Sequence, residues 1–485
     1  VIINLAGCNI DTDVLHQLLA DGNPSVPRVC HALTPEVLSA AYARISRAPD
    51  SVDELRRKAA EDVAAARALA EKIVFGYGHA SVAEHAVFNF DIIDVSRLAI
   101  EAVEHARLCS YTEKSQRYVT FDPDKVEFWM PAEIVESGFA NLFTDYVKET
   151  HAQYHNILAR IEGQERPQGG SPQEDARYVT TLAVTGQLGM TANARNLECM
   201  VRRLAAHPLS EVRTIGEHLF KKAKELAPSL FKYEEPEPFR TALPRMLEQT
   251  LRLRSQSGFA PSIVELLAGP AALESGESSG DLLILAALVH QVSQAPFEAC
   301  HHALGRLTPA DRQQFMKQVL AQMDVYSAAP RCFELCDCTF ELVVSASCFA
   351  QLKRHRMMTL LPQGYDPTLG CTIPPSVSQD EGASERFKAI MRAAEALHRK
   401  LARQINPAVA EYALTQAHRR RVVVKMNARE LYAFSRLRED GHAQWEIREI
   451  AHTLIGLARR TMPLTLALAC GKDQFEEWRK QMLGG

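Results

Sequence analysis

The segment Gly78-His-Ala-Ser81-Val-Ala-Glu84-His85 sets a hydroxyl, a carboxylate and two imidazoles side by side. A glycine-led turn of this make-up can offer donors and acceptors to a polar ligand. The local alternative is a capping box, in which Ser81 caps a helix and Glu84 reaches back to its start. A second polar segment, Ser110-Tyr-Thr-Glu113-Lys-Ser115-Gln-Arg117-Tyr118, alternates small hydroxyls with an acid and an arginine. That suits a phosphorylated ligand, because the planar guanidinium fork matches phosphate oxygens and serine adds a short donor. Each charge-assisted bond of this kind contributes about 1.5–3 kcal/mol. A plain polar loop is the alternative. Cys332, Cys336 and Cys338 form the one cysteine cluster. Their even spacing predicts one face of a strand and small buried hydrophobes; without a partner pair at zinc-ligand spacing, no metal site is expected.

The elements that position these groups follow from capping and periodicity. Thr34-Pro35-Glu36 predicts a helix to about Arg47, and Thr308-Pro309-Ala310-Asp311 opens another in the same way. An alanine-rich helix is expected over 52–74, a strand over 86–93 and an apolar-periodic helix over 95–108. A long helix should begin near Ala132 and give way to a Gly/Pro loop at 162–173. The stretch 228–238 reads as a linker, and 269–281 and 376–384 as polar breaks. The order then recurs, with a strand over 333–344, a helix over 345–358 and a short β-branched strand over 421–426. His418-Arg-Arg-Arg421 reads as a solvated helix end. Asn193-Ala-Arg-Asn-Leu197 returns as Asn427-Ala-Arg-Glu-Leu431, 234 positions later. We read a tandem duplication of an α+β unit of about 230 residues. Repeat one spans 1–235 and repeat two 236–485.

Composition narrows the classes of function. At 485 residues the chain exceeds one core, and two or three domains are expected. Hydrophobic residues at 46% and charged residues at 24% are the balance of an ordinary globular protein. With 55 basic and 59 acidic residues the net charge is −4, which does not suit a nucleic-acid-coating surface but leaves room for a local phosphate pocket. No apolar run is long enough for a membrane span, and none is expected. The first residues lack a basic, apolar leader pattern. With eleven cysteines, free thiols and a reducing cytoplasm are expected.

Taken together, 78–119 resembles the flavin-dependent thymidylate synthase (ThyX) family. That family carries Gly-His-x-Ser-x-x-Glu-His, a strand, a helix, and then Arg-His-Arg-x-x-Ser ending in Ser-x-Arg-Tyr. The spacing agrees without a gap, but the Arg-His-Arg reads His105-Ala106-Arg107. Asp175-Ala-Arg177 is similar to the family's nucleotide-binding arginine segment and Asn193-Ala-Arg195 to its flavin-contacting Asn-x-Arg. The family's next arginine falls on Leu204, so Arg203 fits only with a one-residue deletion, and His207 to Arg213 keeps only the tail of the closing motif. Repeat two loses the opposite parts. Gln351-Leu-Lys-Arg354-His355-Arg356 restores Arg-His-Arg, and Asn427, Arg429 and Arg438 stand at the family's separations. Gly441-His442-Ala-Gln-Trp-Glu-Ile-Arg448 resembles its C-terminal helix. The Gly-His-x-Ser element, however, has become 328–335, Gly364-Tyr365-Asp366 replaces Ser-x-Arg, and Glu411 replaces the phosphate arginine.

What the resemblance implies is an α+β fold of two tandem ThyX-like units, each a small antiparallel sheet packed with long helices. Family members are homotetramers with active sites between protomers. Here that implies one live site type, with Glu113, Ser115, Arg117 and Arg177 offered by repeat one to Gln351, Arg354 and Arg438 of repeat two; the converse pairing would be dead. The implied reaction is reductive methylation of dUMP to dTMP, with FAD as cofactor and NADPH and methylenetetrahydrofolate as co-substrates. Arg438 would stabilise charge developing on the uracil edge. Arg117 and Arg177 would hold the 5′-phosphate, Ser115 would bond phosphate or ribose, and Gln351 and Arg354 would orient the nucleotide. Flavin would meet His79, Ser81 and Glu84 of repeat one and His355, Arg356, Asn427, Arg429 and His442 of repeat two. Arg429 and Arg448 could instead pair with helix-face acids. The implied assembly is a homodimer forming a pseudo-tetramer. Two alternatives stand beside this reading: the same chemistry on another pyrimidine nucleotide, and a nucleotide-binding pseudoenzyme.

Overall fold

Phe88, Phe90 and Ile92 are buried while Asn89 and Asp91 between them are exposed, the two-residue period of a strand with one face on a core. Cys338, Phe340 and Leu342 repeat that burial in the second half. The computed structural model describes residues 1–20, 32–165, 169–250, 262–272 and 278–483. Strands β1 (Ile2–Cys8), β2 (Val87–Ser96), β3 (Cys109–Glu113) and β4 (Thr185–Asn193) form an antiparallel sheet in the order β1-β2-β4-β3. Strands β5 (Val264–Ala268), β6 (Asp337–Ser345), β7 (Thr359–Pro362) and β8 (Arg419–Asn427) form a second in the order β5-β6-β8-β7. The expected fold of two α+β units with long helices is therefore present.

Helices α1 (Arg97–Glu104), α2 (Ala140–Ile161), α3 (Ala194–Ala205) and α4 (Ser210–Leu226) serve the first sheet. Helices α5 (Ala346–Leu352), α6 (Glu381–Gln404), α7 (Ala428–Arg438) and α8 (Trp445–Thr461) serve the second. Matching side chains start matching helices. Asn193 Oδ1 accepts from the Asn196 N–H and Asn427 Oδ1 from the Glu430 N–H; Ser96 and Ser345 cap α1 and α5 in the same way. One difference is a bulge in β2, where the register shifts between Ile93 and Val95 and Asp94 has φ 56°. No such shift interrupts β6, so repeat one carries one more residue there.

Several expected elements are shorter or placed differently. The 52–74 helix is two helices, Val52–Glu61 and Val63–Glu71, because Asp62 leaves helical geometry and caps the second through the Ala65 N–H. The helix from Ala132 stops at Glu136, where Gly138 at φ 77° turns the chain before α2. Cys332 lies in a 3-10 turn, Arg331–Leu335, so the three cysteines do not share a strand, although all three are buried. His418-Arg-Arg-Arg421 is no solvated helix end: His418 is buried at the start of β8, and Arg420 is buried with it. Parts of the 162–173 and 269–281 loops lie outside the described residues. No described helix is long and apolar enough to cross a membrane.

The two units meet face to face within one chain. Thr181 bridges Thr415, the Leu182 N–H donates to Leu414 O at 2.8 Å, and the Gln416 N–H donates to Thr180 O at 2.9 Å. Around this short antiparallel crossing the halves exchange tyrosines. Tyr178 donates to Glu446 of α8 at 2.6 Å, and Tyr412 donates to Glu211 of α4 at 2.7 Å. Each carboxylate also takes the N–H and hydroxyl of its own unit's helix-capping serine, Ser345 or Ser96. A buried carboxylate left without these donors would be costly, so each half completes the other. Helices α2 and α6 pack together on the outside of this contact.

Candidate active site

Strand β3 ends at the contact between the units and delivers Glu113 into a cluster of cations. Arg97, at the start of α1, pairs with Glu113 from the same unit. From α5 and the turn after it, Lys353 Nζ lies 3.8 Å and Arg354 Nη2 3.3 Å from Glu113 Oε2; Lys353 also meets Glu104 at 2.7 Å. Burial alone would raise the Glu113 carboxyl, but Arg97, Lys353 and Arg354 together hold it below the ordinary carboxylate range. It is therefore an anchor that fixes Arg354 across the unit boundary.

Arg438 sits at the end of α7 and is held by three bonds from the α5 side. Its Nε donates to His355 Nε2 at 2.8 Å, Nη1 to Gln351 Oε1 at 3.1 Å and Nη2 to the Gln351 carbonyl at 3.1 Å. Guanidinium carries five N–H groups, so two remain to face a ligand. His355 must be neutral to accept this bond, and its burial, with Arg438 beside it, pushes its pKa down. Burial, with Arg354 and Arg117 adding, pushes Arg438 down to about 10. Arg117 comes from the loop after β3. Its Nε donates to Glu174 at 2.9 Å and its Nη2 to the His442 carbonyl at 3.4 Å. Arg177 is buried behind it, with Nε on the Glu174 carbonyl at 3.3 Å and Nη2 without an acceptor. Arg117 and Arg438 line one cavity of about 460 Å³, joined by Arg436, Asp440, His442 and Lys472. Cations outnumber acids there, which suits an anionic ligand with a hydrogen-bonding edge.

Of the residues singled out from the sequence, this corner gathers Glu113, Arg117, Arg177, Gln351, Arg354, His355, Arg438 and His442. Ser115 accepts from the Arg117 N–H at 3.2 Å but lines a neighbouring cavity beside Gln116 and Phe121. Arg356 donates to the Arg107 carbonyl at 3.3 Å, while Arg107 donates to the Met358 carbonyl, so these two arginines lock β3 and β7 regions together. His79, Ser81 and Glu84 lie elsewhere, exposed in and beside the 3-10 turn Ala80–His85; Glu84 pairs with Arg195, and the capping box does not form. Asn427 spends its side chain on the cap of α7, and Arg429 pairs with Glu334 at 2.6 Å, the counterpart of the Glu84–Arg195 pair. Arg448 donates to the Gly441 carbonyl at 2.9 Å. Sequence reasoning missed Arg97, Glu104, Lys353 and Glu174. The available signal was Lys353 beside Arg354, at the end of an otherwise apolar helix.

The profile described as thymidylate synthase complementing protein matches residues 28–229 and again residues 278–464. The chain is 32% identical over 208 residues to the flavin-dependent thymidylate synthase of Geobacter sulfurreducens, a match covering 42% of this chain and 84% of that protein. It is 29% identical over 217 residues to the flavin-dependent thymidylate synthase of Clostridium tetani, covering 42% of this chain and 83% of that protein. A UPF0159 protein of Thermoplasma acidophilum is 22% identical over 443 residues, 78% of this chain and 83% of its own length. Each matched region contains the three strands β2 to β4 or β6 to β8 and the helices that carry the clustered arginines. By these two matches, one in each half, the chain belongs to the thymidylate synthase complementing protein family.

Proposed function

We propose that this chain carries out FAD-dependent reductive methylation of dUMP to dTMP, using methylenetetrahydrofolate and NADPH, at a composite site between repeat one and repeat two. The observation that carries the reading is the convergence of Arg117 from repeat one and Arg438 from repeat two on one cavity. The phosphate would lie against Arg117, with the unfilled Nη2 of Arg177 drawing it inward. The uracil edge would take the two spare N–H groups of Arg438, which Gln351 and His355 keep aimed. Arg354, tethered to Glu113, would orient the ribose and phosphate. Glu174 holds Arg117 in place and partly neutralises it until the phosphate arrives.

The donor set fits a flavin. The His79 and Ser81 side chains are exposed and make no hydrogen bond or ion pair with described residues, and Arg195 and Arg429 stand on matching edges of the two units. When bound, the flavin would supply the hydride chemistry, with the protein providing position and charge. No bond joins the His79–Ser81–Glu84 set to Asn427 and Arg429 among the described residues. We assign the flavin to a contact between two chains, in a homodimer forming a pseudo-tetramer, each chain dividing near residue 235. All cysteines among the described residues are free, which suits the reducing cytoplasm.

An absorption spectrum tests the reading directly. Protein soaked with FAD and desalted should keep a band near ~450 nm that shifts on adding dUMP. Retained flavin blind to dUMP would point to a different nucleotide, and protein that retains none would overturn the proposal. Light scattering should report two chains per particle; a lone monomer would contradict the shared flavin site.

A further inference from the structure

A second cavity, of about 570 Å³, lies at another contact between the same two units. Sheet registers identify its residues with those of the first. Ser110 pairs with Thr191 as Thr359 pairs with Lys425, and the partner strands β4 and β8 begin and end at matched residues. Carried along β3 and β7, this sets Gly364 where Ser115 stands and Asp366 where Arg117 stands. The match of Asn193 with Asn427 likewise sets Glu411 in the place of Arg177. The helix caps Ser96 and Ser345 set Ala102 and His105 in the places of Gln351 and Arg354. Arg117 and Arg177, which we set against the phosphate in the first cavity, are thus matched by the acids Asp366 and Glu411, and Ser115 by a glycine.

The replacement is built rather than eroded. A Cβ on Gly364 would lie 2.6 Å from Glu411 Oε1, so the glycine makes the room that the carboxyl fills. No described side chain hydrogen-bonds to Glu411, and burial raises its pKa to about 7. In the same lining, from repeat one, the Arg203 side chain makes no hydrogen bond or ion pair with any described residue, and its Nη2 is shut off from solvent. Burial pushes Arg203 down to about 10. Burial, with Arg203 close by, keeps the flanking His105 and His207 neutral, at about 4. A guanidinium without acceptors and an acid whose one donor is the Tyr365 backbone N–H face one space, walled by Leu98, Phe349 and Leu360. Each is costly as it stands and each would be satisfied by a ligand.

We propose that this second cavity binds a pyrimidine nucleoside lacking its phosphate, with the carbonyl edge of the base on Arg203 and a sugar hydroxyl on Glu411. The inference rests on the reading of the first cavity as a dUMP site. A phosphate carried to the same depth would meet the Glu411 carboxyl, while Arg240 and Arg420 of the lining are already paired with Glu237 and Glu101. The nucleoside is held without being converted, because Ala102 and His105 offer neither the amide nor the guanidinium of Gln351 and Arg354.

Calorimetric titration of the full chain with deoxyuridine, after saturation with dUMP, tests this. Deoxyuridine should still bind, one per chain. In the Arg117→Ala protein, deoxyuridine should bind the remaining cavity at least tenfold more tightly than dUMP. Arg203→Met should abolish the deoxyuridine heat, and Glu411→Leu should weaken it at least tenfold; far-ultraviolet circular dichroism confirms that each variant is folded. Arg203→Lys, which keeps the charge, guards against a misfolded methionine variant and should retain part of the affinity. Deoxyuridine heat that vanishes under dUMP, or that follows Arg117→Ala rather than Arg203→Met, would overturn the inference. Should dUMP binding ignore both Arg117→Ala and Arg438→Ala, it is the reading of the first cavity that fails.

Discussion

Replacing Arg438 by alanine removes the group that links the two halves of the proposed site. Three of its five N–H groups are spent on His355 and Gln351 at 2.8–3.1 Å, and two remain for substrate. Two charge-assisted bonds at about 1.5–3 kcal/mol each amount to roughly 3–6 kcal/mol, or about 10²- to 10⁴-fold in kcat/KM for dUMP. Arg438→Lys keeps the charge but not the fork. An ammonium cannot hold His355 and Gln351 while also reaching the uracil edge, so lysine should recover less than a tenth of the lost rate. The assay is dTMP formation under anaerobic single-turnover conditions, with the melting temperature checked alongside. Arg203→Ala, whose side chain opens on the other cavity, should cost at least tenfold less than Arg438→Ala. Arg438→Ala within threefold of the parent, or Arg203→Ala equally crippled, would refute a single live site type built on Arg438.

Arg117→Ala should raise KM for dUMP by roughly 10- to 100-fold, the loss of one charge-assisted phosphate bond, and do less to binding of deoxyuridine. Tyr178→Phe and Tyr412→Phe each remove one bond to a buried carboxylate and should each cost about 1.5–3 kcal/mol by urea unfolding; a Tyr178→Phe protein as stable as the parent would contradict the exchanged-tyrosine account. Acid should destabilise the fold. His418 is fully buried and burial holds its pKa at about 4, against an unfolded value of 6.5. The unfolded chain therefore binds the proton first, so His418's contribution is complete above pH 6.5 and is lost as pH falls toward 4, up to about 3 kcal/mol. Glu411, raised to about 7, works in the opposite sense, but His105 and His207 add to the His418 effect. A urea midpoint that stays flat from pH 7 to 4.5 would rule this out.

The repeat was legible because helix starts are written in short, local code. Asn193 and Asn427 cap their helices through their own side chains, and that requirement survives wherever the helix is needed. The clustering of Arg117 with Arg438 was legible only through resemblance, since nothing local relates residues 321 positions apart. What stayed hidden is what the third dimension decides. Arg97 and Lys353 look like ordinary helix charges, yet each is buried because a carboxylate from β3 or α1 lies opposite. His418-Arg-Arg-Arg421 read as solvated because arginine is seldom buried. The pairing of Arg420 with Glu101, with Tyr365 stacked on the guanidinium, supplies what burial needs. Asp62 and Gly138 broke helices whose apolar periodicity ran straight through them, because one residue's backbone angle interrupts a helix without disturbing its pattern.

The exchanged tyrosines bear on inheritance as well as on stability. When a contact joins two copies of one polypeptide, every substitution appears on both sides of it, and any asymmetry is forbidden. Here the two sides are separate stretches of one chain, and Tyr178 can change while Tyr412 does not. The linkage also keeps the partners at a fixed, high local concentration, so a change that weakens one side does not release the other. That arrangement lets one contact drift or acquire a new ligand while its twin is held to the old one, something a symmetric assembly of identical chains cannot do.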